Sequence, residues 1–198
     1  MTHALLIIDV QRDFTERIPG GEAVARGISE HLRETPGRYD VVIASRDWHD
    51  AVGDNGGHFP ASPPGSADPY LRHCVAGSRG AQYDPALTVG AIDVHVRKGM
   101  GVPGYSIFEG LVAPGEVDDA VPGPVAEGTA FPEAMRVLGV DEVTVVGLAT
   151  DHCVRAAALD ALAAGCDATV LGALCAGTTP ARAEAVLEEL RAAGVRVR

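Results

Sequence analysis

Two groups of residues in this 198-residue chain have the types and spacing to do chemistry. The first is Asp9, Lys98 and Cys153. Cys153 sits in "GLATDHCVRAAALDA", residues Gly147 to Ala161, where an apolar strand runs into the first turn of a helix. A thiol at a helix N-terminus meets unpaired backbone N–H groups and the positive end of the helix dipole, which favour thiolate and could hold an oxyanion. Taken singly, Cys153 also fits a small buried filler, Asp9 a turn cap and Lys98 a solvated amine. Taken together they supply a nucleophile, a carboxylate to accept its proton and an ammonium that favours the charged forms, the parts needed for acyl transfer. His152 adjoins the thiol, but successive helical residues diverge by roughly 100° around the axis, so it is not expected to be the base.

The second group reads as a metal site. Asp47 and His49 in "SRDWHDAVGDNGGHF" form a D-x-H pair able to project from one strand end, and His58 and His73 follow in the next loop. A carboxylate with imidazoles suits Zn²⁺, Fe²⁺ or Mn²⁺. Histidines in loops are also often merely exposed, and Cys74 beside His73 is a competing donor.

Both groups need a scaffold that gathers distant strand ends. β-Branched runs at His3 to Asp9, Asp40 to Ser45, Ala91 to Val96, Glu142 to Gly147, Ala168 to Gly172 and Val195 to Val197 read as mostly buried parallel strands. Between them, "GGEAVARGISEHLRE", "GTAFPEAMRVLG", "DHCVRAAALDALAAG" and "TPARAEAVLEELRAAG" carry apolar residues at helical spacing. The alternation predicts an α/β fold, a three-layer α/β/α sandwich with a mainly parallel six-stranded sheet of Rossmann-like type, in one domain spanning residues 1–198. Ligands in such sheets sit outside the carboxyl ends of the strands, where Asp9, Asp47, His49, Lys98 and Cys153 fall. The Gly-, Pro- and Asp-rich segments 50–85 and 99–128 are long enough to be functional covers, and "TERIPGG" reads as another loop bordering the site.

Composition excludes several classes. With 16 basic against 27 acidic residues the net charge is −11, and no basic run offers a footprint for nucleic acid or an anionic membrane. The apolar run near the N-terminus is interrupted at Asp9, far short of the ~20 residues a membrane span needs, so a cytoplasmic protein is expected. Four cysteines, Cys74, Cys153, Cys166 and Cys175, without a C-x-x-C pair suit reduced thiols. No G-x-G-x-x-G follows the first strand, which removes support for dinucleotide binding.

"LLIIDVQRDF", "ASRDWH", "VRKG" and "GLATDHCV", with "HCVAGSRGAQYDPAL" and "GYSIFEG" between them, resemble the nicotinamidase (pyrazinamidase) branch of the isochorismatase-like cysteine hydrolases over nearly the whole chain. The resemblance implies a catalytic triad of Asp9, Lys98 and Cys153, and one divalent metal, zinc first with iron or manganese as alternatives, on Asp47, His49, His58 and His73. It further implies a cis peptide between Leu148 and Ala149, an oxyanion hole from the Ala149 and Cys153 N–H groups, and a substrate pocket involving Phe14, Tyr70, Tyr105 and Leu148. Relatives often carry Trp at the position of Tyr70, the spacings from His49 to His58 and on to His73 are longer than usual, and "LVAPGEVDDAVPGPVAEGTAF" matches no motif. The implied reaction is hydrolysis of nicotinamide, and of pyrazinamide, to the acid and ammonia, in NAD salvage. The implied partner is this small molecule rather than nucleic acid or membrane, and the chain is compatible with a homo-oligomer. The alternatives are an isochorismatase-like hydrolase acting on another small amide or carbamoyl compound, and a non-catalytic α/β binding module.

Overall fold

The computed structural model describes residues 1–59, 72–114 and 125–198. Its strands are β1 (Thr2–Ile8), β2 (Val41–Asp47), β3 (Val94–Lys98), β4 (Leu111–Ala113), β5 (Val140–Leu148), β6 (Asp167–Ala176) and β7 (Arg196–Val197). They form one sheet in the order β4-β3-β2-β1-β5-β6-β7. Every pairing is parallel except β3 with β4. The expected six-stranded sheet therefore has seven strands. The addition, "LVA", is too short to show a period-two pattern, and it is a strand because it pairs antiparallel along the free edge of β3.

Among the described residues five α-helices accompany the sheet: α1 (Arg12–Thr15), α2 (Gly21–Glu34), α3 (Phe131–Leu138), α4 (Arg155–Ala163) and α5 (Pro180–Ala193). β1 explains the layering. Residues Ala4 to Ile8 are all fully buried, and because successive strand side chains point to opposite faces they feed two cores. Ala4, Leu6 and Ile8 join a cluster with Ala134 and Met135 of α3, Ala157, Ala158 and Ala161 of α4 and Leu190 of α5. Leu5 and Ile7 join a second cluster with Val24, Ala25 and Ile28 of α2. At ~1.5–3 kcal/mol for each fully buried large aliphatic side chain, this doubly covered strand is a main anchor of the fold.

After β1 the chain builds outward through β2 and β3 to β4, and then β5 returns to pair with the other side of β1. The strand order thus reverses at the β1/β5 boundary, the position at which open α/β sheets form a crevice at their carboxyl ends. Asp9 follows β1 and Cys153 follows β5, so the reversal brings them to the two lips of one crevice.

β5 can approach β1 closely at this point because Gly147 has no side chain. Its φ is +119°, and a Cβ there would lie 2.2 Å from the Ile8 carbonyl oxygen. Gly147→Ala should destabilise the protein by about 3 kcal/mol, combining backbone strain with overpacking against a neighbouring backbone. For a chain of this size that is a fall in thermal midpoint of roughly 6–12 °C, readable by calorimetry.

Candidate active site

Lys98, the last residue of β3, is fully buried. Its Nζ ion-pairs with Asp9 Oδ2 at 2.8 Å and with Asp47 Oδ1, donates to the Gly104 carbonyl at 3.0 Å and lies 3.5 Å from Cys153 Sγ. Burial alone would lower the ammonium's pKa, but the Asp47 and Asp9 carboxylates outweigh it and hold it well above its ordinary value. Asp9 is raised, first by burial and then by Asp47, against the pull of Lys98. Cys153 is pushed well above the usual thiol value by burial, which Asp9 and Asp47 reinforce and Lys98 opposes. Burial therefore disfavours the thiolate in the resting site, beside a carboxylate of increased basicity.

Cys153 is not in a regular α-helix. Thr150–Val154 forms a π-helical turn before α4, in which the Ala149 carbonyl accepts N–H bonds from His152 at 3.0 Å and Val154 at 3.2 Å. Such wide turns recur at functional sites. The peptide bond between Leu148 and Ala149 is cis.

The second group lies alongside. The Nε2 atoms of His58 and His73 are 3.1 Å apart, and Asp47 Oδ2 is 3.6 Å from His49 Nε2 and 4.0 Å from His73 Nε2. One nitrogen from each of His49, His58 and His73 falls within a common 4.8 Å. Ligands at ~2.0–2.1 Å around a tetrahedral cation are separated by about 3.3 Å, so these spacings fit a metal ion. His49 supplies a second fit. Its Nδ1 pairs with the Gly99 carbonyl at 2.8 Å, while its buried Nε2 has no hydrogen-bond partner among the described residues, an arrangement that presents a lone pair to a cation. Burial and the neighbouring His49 lower the pKa of His58, favouring the neutral imidazole a metal requires. Asp47, held down to about 2 by Lys98 and His49 against the effect of burial, touches both groups and joins them.

Loops position these donors through backbone bonds. His49 N–H donates to the Cys74 carbonyl at 3.0 Å and Ala76 N–H to the His49 carbonyl at 2.9 Å, which sets the segment holding His73 beside His49. Asn55, buried in the turn before His58, accepts from Asp50 N–H at 2.8 Å and Gly101 N–H at 3.3 Å. Among the described residues, Cys74 is not one of the donors that cluster within 4.8 Å. It is fully buried, burial raises its thiol pKa well above the usual value, and its backbone N–H is held by Asp13 Oδ2 at 2.8 Å.

A cavity of about 270 Å³ opens between the two groups, at the lower edge of the ~300–1,000 Å³ typical of small-molecule sites. Asp47, His58, His73, Ala149 and Cys153 line it, with the Phe14 and Tyr105 rings on its walls. Phe14 lies 5.3 Å from the His73 ring and Tyr105 lies 5.7 Å from that of His58. Leu148 does not line the cavity. It is fully buried in the α2-side core, on the same sheet face as Val146 two residues earlier, while Ala149, just past the end of β5, borders both that core and the cavity. Tyr70 lies outside the described residues.

Of the other residues on the cavity wall, Arg17 and Ile18 come from the "TERIPGG" loop expected to border the site and His152 is set aside by the sequence only as the base, while Asp13 and Thr178 are not singled out by the sequence. The strand-end rule, extended to β6, would have pointed to the segment of Thr178. Sequence reasoning also missed Gln11, whose buried amide brackets the Asp47 backbone, accepting from its N–H at 2.8 Å and donating to its carbonyl at 2.9 Å. His152 borders the cavity near Tyr105, with no hydrogen bond to Cys153 among the described residues.

A crevice at the reversal of a parallel sheet, with a buried Cys–Lys–Asp cluster, defines a class of α/β cysteine hydrolase. The chain belongs to the isochorismatase family, whose domain model matches residues 3–198. A nicotinamidase/pyrazinamidase of Mycobacterium tuberculosis is 42% identical over 97% of this chain and 96% of its own length. The crystal structure of a Pyrococcus horikoshii pyrazinamidase in complex with zinc superposes with a TM-score of 0.76 at 28% identity, covering 100% of this chain and 99% of that one. A structure from L. infantum in complex with nicotinate gives a TM-score of 0.76 at 29% identity, covering 100% and 92%.

Gly99 tests the metal reading. Its φ is +76°, and a Cβ there would lie 2.5 Å from His49 Cε1, displacing the ring. Gly99→Ala should weaken zinc affinity by ~10–100-fold, the usual effect of disturbing the support of a metal ligand, as measured by competition with a chromogenic chelator.

Proposed function

We propose that this protein hydrolyses nicotinamide to nicotinate and ammonia through a thioester on Cys153, and accepts pyrazinamide by the same route. The observation that carries this reading is the contact of one buried ammonium with Asp9, Asp47 and Cys153 beside a cavity sized for a small ring. The relatives' names and the nicotinate in a similar structure support the choice of amide.

With burial disfavouring a free thiolate, nucleophile activation and attack are coupled. Asp9 takes the proton from Sγ as sulfur bonds to the carboxamide carbon, and the carbonyl π electrons move to oxygen, facing the N–H groups of Ala149 and Cys153. The oxyanion collapses, the C–N bond breaks, and Asp9 returns its proton to the leaving nitrogen, releasing ammonia. Asp9 then removes a proton from water as the water oxygen attacks the thioester. The C–S bond breaks, the sulfur is reprotonated, and the acid leaves. Throughout, Lys98 offsets whichever anion is present, carboxylate or thiolate.

Asp47, His49, His58 and His73 would hold a divalent cation, zinc first, which would anchor the pyridine nitrogen as a Lewis acid. Phe14 and Tyr105 would confine the ring so that the carboxamide faces Cys153. The same reading assigns the protein to NAD salvage in the cytoplasm, where its free thiols would stay reduced.

An ammonia-release assay on nicotinamide tests the reading. Turnover should disappear on chelation and return with added zinc, iron or manganese. Cys153→Ala should reduce turnover by at least about 10⁴-fold with folding and metal content unchanged. Retained turnover in that variant, or no ammonia from the native chain, would overturn the assignment.

A further inference from the structure

Asp9 has two carboxylate oxygens in different surroundings, and a residue outside the triad makes them different. Ser45, on β2, is fully buried next to Asp9. Its Oγ–H donates to Asp9 Oδ1 at 2.7 Å, and the Asp9 backbone N–H donates back to Ser45 Oγ at 3.3 Å. This closed ring spans adjacent strands whose register pairs Ile7 with Ala44 immediately before it. Asp9 itself has φ +48°, a left-handed conformation uncommon outside glycine.

Oδ2 stands differently. It faces Lys98 Nζ at 2.8 Å but accepts no well-aligned hydrogen bond among the described residues. Oxygens of Asp9 and Asp47 and the sulfur of Cys153 lie within 4.8 Å of one another.

We propose that Ser45 is a positioning residue for the reaction: it ties up Asp9 Oδ1 so that Oδ2 alone is presented to the Cys153 thiol. The inference rests on the hydrolytic reading above. In the step it serves, the S–H bond breaks, the proton moves to Oδ2, and the bonding electrons remain on sulfur beside the Lys98 ammonium. Without the hydroxyl, Oδ1 becomes a second unsatisfied acceptor next to Lys98. The carboxylate then turns freely, offering either oxygen to the ammonium and neither consistently to the thiol. A hydroxyl that only filled a buried acceptor's need would affect stability and leave the chemical step alone.

Ser45→Ala removes one oxygen atom and Ser45→Thr keeps the hydroxyl, so the pair separates the two roles. In the zinc-loaded full chain, Ser45→Ala should lower kcat for nicotinamide by about 10–100-fold, part of the ~10²–10⁴ a positioned general base contributes, with KM and bound zinc unchanged. Ser45→Thr should restore most of the loss. Alkylation of Cys153 by iodoacetamide, which needs no substrate, should slow in Ser45→Ala and recover in Ser45→Thr. Native kcat and native alkylation rate in a folded Ser45→Ala protein would overturn the proposal, as would a folded Ser45→Thr protein that recovers neither. A native chain inert toward nicotinamide would instead overturn the functional reading, and the alkylation rates would still decide the role of Ser45.

Discussion

The site depends on one buried ammonium serving several partners. Lys98 Nζ is fully enclosed and in contact with Asp9, Asp47, Cys153 and the Gly104 carbonyl. Removing three ionisable side chains and a thiol from water is unfavourable unless their charges compensate, and a single cation between two carboxylates achieves most of that compensation. The same contact sets the chemistry. It keeps Asp47 ionised next to the histidines, while burial and the Asp47 charge raise Asp9 against its pull and make Asp9 the more basic of the two carboxylates. Burial, against the pull of Lys98, disfavours the thiolate until a base takes the proton. Structural and chemical roles therefore coincide in Lys98.

Topology brings these groups together. β1, β2, β3 and β5 deliver Asp9, Asp47, Lys98 and Cys153 from positions far apart in sequence to one end of the sheet. The reversal at β1/β5 leaves room between those ends, and Gly147 allows the close approach that defines the crevice wall. The long connections then add what the strands cannot, with His58 and His73 reaching in from the loop after β2 and Tyr105 from the loop after β3.

Much of this was legible in the sequence because residues of unusual chemistry occupy the ends of apolar β-branched runs. Asp9, Lys98 and Cys153 were found that way, and Asp47 and His49 by their D-x-H spacing. Residues acting through others were not legible. Ser45 reads as one more small residue in a buried strand, and Gln11 as one more polar residue in a loop, because a cross-strand hydrogen bond leaves no periodic trace. β4 was missed because only its pairing with β3 makes those three residues a strand. The π turn was invisible for a related reason: "TDHCVRAAAL" has the composition of a continuous helix, and the departure lies in which N–H groups reach the Ala149 carbonyl. Leu148 is the opposite case: the family resemblance suggested a pocket residue, and the structure packs it with Val146 in the α2-side core.

If Lys98 and the carboxylates stabilise one another and cannot be removed independently, a double-mutant cycle in stability shows it. Lys98→Met alone should cost about 3–5 kcal/mol by leaving buried carboxylates uncompensated. Adding Asp9→Asn should return part of that loss, so the double variant is more stable than the sum of the single losses, by more than the ~0.5 kcal/mol within which independent sites add. Losses that simply add would contradict the account.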